Sequence, residues 1–132
     1  MRRIRNDTFI KSFSGVTTAF AAIHFVLESW YTLQYGQAFL GLLPDYVADA
    51  LLLWGSYLAL KDSRTTGVLC GAWGFAFCLH YRAWAWRFQA TQNDTATSVD
   101  EITMIVLATT LFVSMLCFVI TLLMSLPDKA GG

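Results

Sequence analysis

Charge is scarce in this chain, and what there is cancels. Of 132 residues only 14% are Asp, Glu, Lys or Arg, nine basic against nine acidic. No net positive field exists to hold nucleic acid, whose binding is dominated by cationic contacts to phosphate, so nucleic acid is not an expected partner. Proline occurs twice, which leaves long stretches without a helix breaker. The three cysteines, Cys70, Cys78 and Cys117, are odd in number and form no CxxC pair, so neither a disulfide framework nor a zinc site has its ligands. They read as small packing residues, and no metal is expected. No Gly-rich loop joins a strand to a helix, which removes nucleotide and phosphate chemistry and leaves no expected cofactor.

What is abundant is apolar surface, 56% hydrophobic and 15% aromatic residues, a composition that points to a membrane rather than to water. A hydrocarbon core about 30 Å thick takes roughly 20 apolar residues at 1.5 Å of helical rise each. Residues 102–126 carry no charged side chain and lie between the acidic pair Asp100 and Glu101 and the sequence Pro127, Asp128, Lys129. Residues 66–87 are uncharged as far as His80 and end among Trp84 and Trp86, as an interfacial aromatic belt does. Residues 14–35 are apolar except for His24 and Glu28, and residues 44–60 except for Asp45 and Asp49. The expected fold is all-α: one transmembrane domain over residues 1–132, an up-down-up-down four-helix bundle connected at 34–43, 61–65 and 88–100. Pro44 is read as opening the second span, where Asp45 has an alternative role as an acid in the first helical turn.

The N-terminus, with Arg2, Arg3, Arg5 and Lys11 before an apolar run, imitates a secretory signal. The apolar stretch continues past Ala19, Phe20 and Ala21, so it is expected to remain as a span. With the N-terminus inside, the inner side holds Arg2, Arg3, Arg5, Lys11, Lys61, Arg64 and Lys129, against Arg82 and Arg87 near the outer side. That asymmetry predicts both termini inside, in a plasma (inner) membrane or the endoplasmic reticulum.

Rise along each helix then sets the depth of the ionisable groups. From Lys11, His24 lies about 20 Å up and Glu28 about 25 Å; from Lys61, Asp49 lies about 18 Å up and Asp45 about 24 Å; from Arg64, His80 lies about 24 Å up. All fall in one layer of the outer half. Positions i, i+4 and i+7 share a helix face, which groups Thr17, Ala21, His24, Glu28 and Tyr31 on the first helix. The same rule groups Asp45, Asp49, Leu52 and Ser56 on the second, and Trp73, Phe77, His80, Trp84 and Arg87 on the third. A charge at that depth costs about 2.5 to 3.5 kcal/mol on insertion scales, so these groups are expected to turn inward and pair or to line a wet cavity.

His24 and Glu28, one turn apart, are the expected catalytic acid/base pair, with Asp49, Asp45, His80, Trp84 and Arg87 as ligand-binding residues. Interhelical polar pairs, such as Asp45 or Asp49 with Arg82 or Arg87, are the structural alternative, and the two arginines also suit snorkelling to headgroups. Bis-histidine haem ligation by His24 and His80 is a further alternative, against which the neighbouring carboxylates argue. Proton passage across the whole bundle is disfavoured, because below His24 and Asp49 the faces continue as Ala21, Thr17, Leu52 and Ser56. Gly67, Gly71 and Gly74, and the stripe Thr103, Thr110, Ser114, Cys117 and Thr121, are expected to pack helices closely, with a homodimer or larger membrane complex as the alternative use.

Residues 23–35, IHFVLESWYTLQY, resemble the first-helix motif of the EXPERA group, the emopamil-binding sterol Δ8-Δ7 isomerases and their sigma-2 receptor relatives. The resemblance implies a membrane-embedded pocket in which His24 and Glu28 move protons on and off a sterol, with Asp49 as the acid of the following helix. Residues and resemblance together lead to a small polytopic membrane protein with a pocket for a membrane lipid or other lipophilic ligand, sterol- or terpenoid-like, acting as a proton-transfer isomerase or cyclase. The alternative is a noncatalytic membrane accessory or binding subunit.

Overall fold

A computed structural model describes residues 6–36 and 38–126, and within them the chain is four helices and no strand: α1 (Asp7–Tyr35), α2 (Phe39–Lys61), α3 (Gly67–Gln92) and α4 (Ser98–Ser125). Arg2, Arg3, Arg5, Pro127, Asp128 and Lys129 lie outside the described residues. Several helix ends have a local reason. Asn6 accepts the amide of Thr8 at the start of α1, and Gly36 ends it at φ 73°, a left-handed conformation only glycine adopts without strain, with its N–H on the Thr32 carbonyl. Between α2 and α3, Asp62 takes the backbone and guanidinium N–H groups of Arg64, and the Thr65 hydroxyl donates to the Leu58 carbonyl. Those bonds hold the Asp62 carboxyl below its usual range. Asp7 at the foot of α1 is lowered likewise by the Ser63 hydroxyl and by Lys11, which ties that turn to the first helix. Thr97 and Asp100 form a reciprocal capping box at the start of α4.

Two boundaries differ from the sequence reading. The chain reverses at Gly36 and re-enters a helix at Phe39, so Pro44 stands inside α2 instead of opening it, and Asp45 lies beyond the first turn rather than complementing the helix start. Pro44 has no N–H to offer the Leu40 carbonyl one turn back, and Leu40 is 80% exposed near the start of the helix. The third connection is also far shorter than 88–100, because nothing in residues 88–92 breaks α3 and the Thr97 cap starts α4 at Ser98.

Consecutive helices run antiparallel. His24 faces Asp49 and Ser29 faces Tyr46 across α1 and α2; Arg87 meets Asp100, His80 meets Ser114 and Thr66 meets Ser125 across α3 and α4. α2 packs between α1 and α3, and α3 between α2 and α4, whereas α1 and α4 are not closely packed on each other. The core is built of small residues, Ala21, Ala48, Ala59, Ala72 and Ala76, around Leu52, Leu69 and Trp73. Gly55 makes the closest approach: a Cβ there would lie 2.8 Å from the Leu69 Cα, so α2 and α3 touch backbone to backbone. Gly74 receives the Phe118 ring, but Gly67 and Gly71 meet nothing within 4 Å. They do not pack helices within the chain as expected, because that face of α3 turns away from α2 and α4.

α1 and α4 are long and apolar enough to cross a membrane, by length and composition. α2 and α3, at 23 and 26 residues, are as long as a span requires but fall below that apolar mark.

Candidate functional site

α1 buries a strip of residues at four- and three-residue steps, Ile10, Ser14, Thr17 and Ala21, and the same strip continues upward as His24, Glu28 and Tyr31. His24 therefore points into the bundle. The antiparallel α2 sets Asp49 opposite it, with His24 Nδ1 3.0 Å from one carboxylate oxygen and 3.3 Å from the other. Asp49 is only 2% exposed and takes no hydrogen bond from any other side chain among the described residues. An ionised carboxylate can only accept, so Nδ1 carries the proton and Nε2 is turned away from Asp49, toward Glu28 and α3. Glu28 is the looser neighbour, its Oε1 3.9 Å from His24 Nε2.

α3 runs parallel to α1 and brings His80 to the same level, its Nε2 3.5 Å from His24 Nε2 and the two rings edge to face at 70°. On the far side His80 Nδ1 lies 3.1 Å from the Ser114 hydroxyl of α4. Each Nδ1 is thus hydrogen-bonded and the two Nε2 atoms face each other. Beneath, Phe20 stacks on His24 and leans on Trp73, whose indole N–H donates to Thr17 at 3.3 Å. That aromatic floor separates the histidines from the lower half of the bundle.

Above the floor lies the gap left between α1 and α4. It is a groove of about 410 Å³ whose walls include Leu27, Trp30, Ile102 and Val106, and at whose inner end stand His24, Glu28 and His80. A smaller polar pocket of about 110 Å³ adjoins it, shared by His24, Glu28, Asp45, His80 and Arg87. The fold thus gathers six of the seven expected residues, His24, Glu28, Asp45, Asp49, His80 and Arg87, around one interior. Trp84 stands apart. It stacks on Phe88 and lines a separate cleft of α3 and α4 with Met104, Ile105 and Phe112: a step of four residues carries it about 40° past His80 and seven leave Arg87 about 20° short, so the two diverge along the shared face.

Arg87 is committed to Asp100 at 2.6 Å, not to Asp45 or Asp49. Asp100 is held below its usual carboxylate range, chiefly by the Thr97 amide and hydroxyl and further by Arg87. Arg82 lies over the Trp86 ring at 4.5 Å, outside the groove. Ser114, read from the sequence as a packing residue, is fully buried and is the hydrogen-bond partner of His80. Its signal was its place one turn from Thr110 on the small, polar stripe of an otherwise apolar helix.

No family model matches this chain, and no curated protein or solved structure matches it.

Proposed function

We propose that the chain is a membrane-embedded four-helix bundle whose α1–α4 groove takes a lipophilic, sterol- or terpenoid-like molecule and exposes its polar end to Glu28 and His24 for proton transfer, as an isomerase or cyclase does. The observation that carries this reading is the groove itself: apolar walls that open between two helices long enough to span a membrane, and an inner end made of a carboxylate and two imidazoles. Such a combination suits a ligand that is hydrocarbon along its length and reactive at one end. The resemblance of residues 23–35 to the EXPERA first helix supports the same assignment of His24 and Glu28. Asp49 orients His24 in this scheme, and Glu28 exchanges protons with the ligand.

The test is mass spectrometry of lipid carried by the purified protein, followed by turnover of the identified compound. A sterol or terpenoid is expected, retained by Glu28→Gln while conversion stops. Absence of any specific lipophile overturns the groove as a ligand site, and wild-type turnover in Glu28→Gln overturns its acid/base role. One observation favours a noncatalytic subunit as the second reading: the open face of α3 at Gly67 and Gly71 has room for a helix of another chain or a second copy.

A further inference from the structure

The buried hydroxyl of Ser114 decides how protons are arranged between the two histidines. Its oxygen lies 3.0 Å from the Leu111 carbonyl and 3.1 Å from His80 Nδ1. A serine has one proton to give, and a carbonyl can only accept. The hydroxyl therefore donates to Leu111 and accepts from His80, which places the His80 proton on Nδ1. On the other side, the Asp49 carboxylate places the His24 proton on its Nδ1 in the same way. Both rings then turn a bare Nε2 lone pair toward the other across 3.5 Å, an arrangement that repels unless a proton lies between them.

We propose that His24 and His80 hold a single proton between their Nε2 atoms, and that Ser114 is the positioning residue that makes room for it by fixing the tautomer of His80. Gaining that proton makes His24 an imidazolium with Nδ1–H on Asp49 and Nε2–H on His80. Losing it to Glu28, 3.9 Å away, leaves two neutral rings and a protonated carboxyl, so one proton moves and charge is conserved. The surroundings on every packed element accommodate a positive charge on the pair. Glu28 faces the pair from α1, Asp49 and Asp45 from α2, and Arg87 from α3, already bound to Asp100; α4 presents only the hydroxyls of Ser114, Thr110 and Thr103. The aromatic floor of Phe20 and Trp73 closes the pair below, so exchange runs through the groove. The proton's use rests on the groove being an acid/base site; its existence does not.

The chain has two histidines, both in this pair, so labelling it with ring-15N histidine in lipid nanodiscs reads four ring nitrogens and nothing else. At neutral pH the expected spectrum has three protonated nitrogens and one bare, with the bare one assigned to His80 Nε2. Ser114→Ala should convert it to two protonated and two bare, with His80 switched to its Nε2–H tautomer, and Ser114→Thr should restore the wild-type pattern. Two neutral rings in the wild type overturn the shared proton, and a wild-type pattern in Ser114→Ala overturns the role of the serine. Because no ligand or turnover enters the measurement, either result stands apart from the fate of the proposed reaction.

Discussion

Asp49 on α2 accepts the Nδ1 proton of His24 on α1 at 3.0 Å, and among the described residues no other side chain bonds this carboxylate, which is 2% exposed. Asp49→Asn keeps the shape but takes away the charge-assisted bond, and it should lower stability by about 1–3 kcal/mol. Asp45, half-buried at the edge of the polar pockets, makes no hydrogen bond among the described residues, and Asp45→Asn should change stability by less than about 0.5 kcal/mol. Thermal or denaturant unfolding of the two variants in one detergent checks the contrast; equal effects would remove Asp49 from the role of a structural partner to His24.

Two glycines on neighbouring helices should respond in opposite directions. A methyl group at Gly55 meets the Leu69 backbone at 2.8 Å, where neither helix has a flexible end to yield, so Gly55→Ala should destabilise by about 1–3 kcal/mol. Gly71 faces open space on α3, and Gly71→Ala should be neutral or stabilise by up to about 1 kcal/mol through helix propensity. If Gly71→Ala instead proves costly while Gly55→Ala is tolerated, the seam between α2 and α3 is misplaced.

The start of α4 should loosen in acid. The Asp100 carboxyl is lowered in the folded chain from its usual 3.8 by Thr97 and then Arg87, so its contribution to stability is complete above that value and is lost as pH falls through the lower folded value. Amide protection at Asp100 and Glu101, corrected for intrinsic exchange, should therefore hold at neutral pH and drop below about pH 4. Asp100→Asn should flatten that dependence, and a variant that still loses protection over the same range would assign it to another group.

Orientation has its own measurement. In a background with Cys70, Cys78 and Cys117 replaced, a membrane-impermeant thiol reagent applied to intact cells should label a cysteine placed at Thr95, between α3 and α4, and spare one at Ser63, between α2 and α3. Labelling of Ser63→Cys alone would invert the assignment, whose Lys and Arg asymmetry draws partly on residues outside the described ones.

Helical periodicity was enough to place His24, Glu28, Asp49 and His80 on inward faces, because each lies at i+4 or i+7 steps from residues that pack, and equal depth along three helices brought them to one layer. Pairing was harder to read. His24 and Glu28 are adjacent in sequence and attract notice, yet the tighter partner is Asp49, which only the register of α1 against α2 supplies. Arg87 shows the same limit, since its partner Asp100 is brought close by the tight turn after Asn93, a turn hidden while residues 88–100 read as a long loop. Gly55 was silent because a lone glycine has no spacing to reveal it, whereas Gly67 and Gly71 carried a familiar spacing and no contact. Ser114 looked like packing because a hydroxyl on an apolar helix has its own carbonyls to bond; its second role depends on His80 arriving from another helix.

On the proposed function, the seam left open between α1 and α4 changes what concentration means for a ligand. A molecule that entered a groove between two helices lying in a bilayer would arrive from the bilayer, not from water, so its occupancy would follow its mole fraction among the lipids. Adding empty vesicles at constant total ligand would thin that fraction and empty the groove although the total ligand in the sample is unchanged. Under that proposal binding curves would be drawn against ligand per lipid, and the composition of the host membrane would control when the groove is filled.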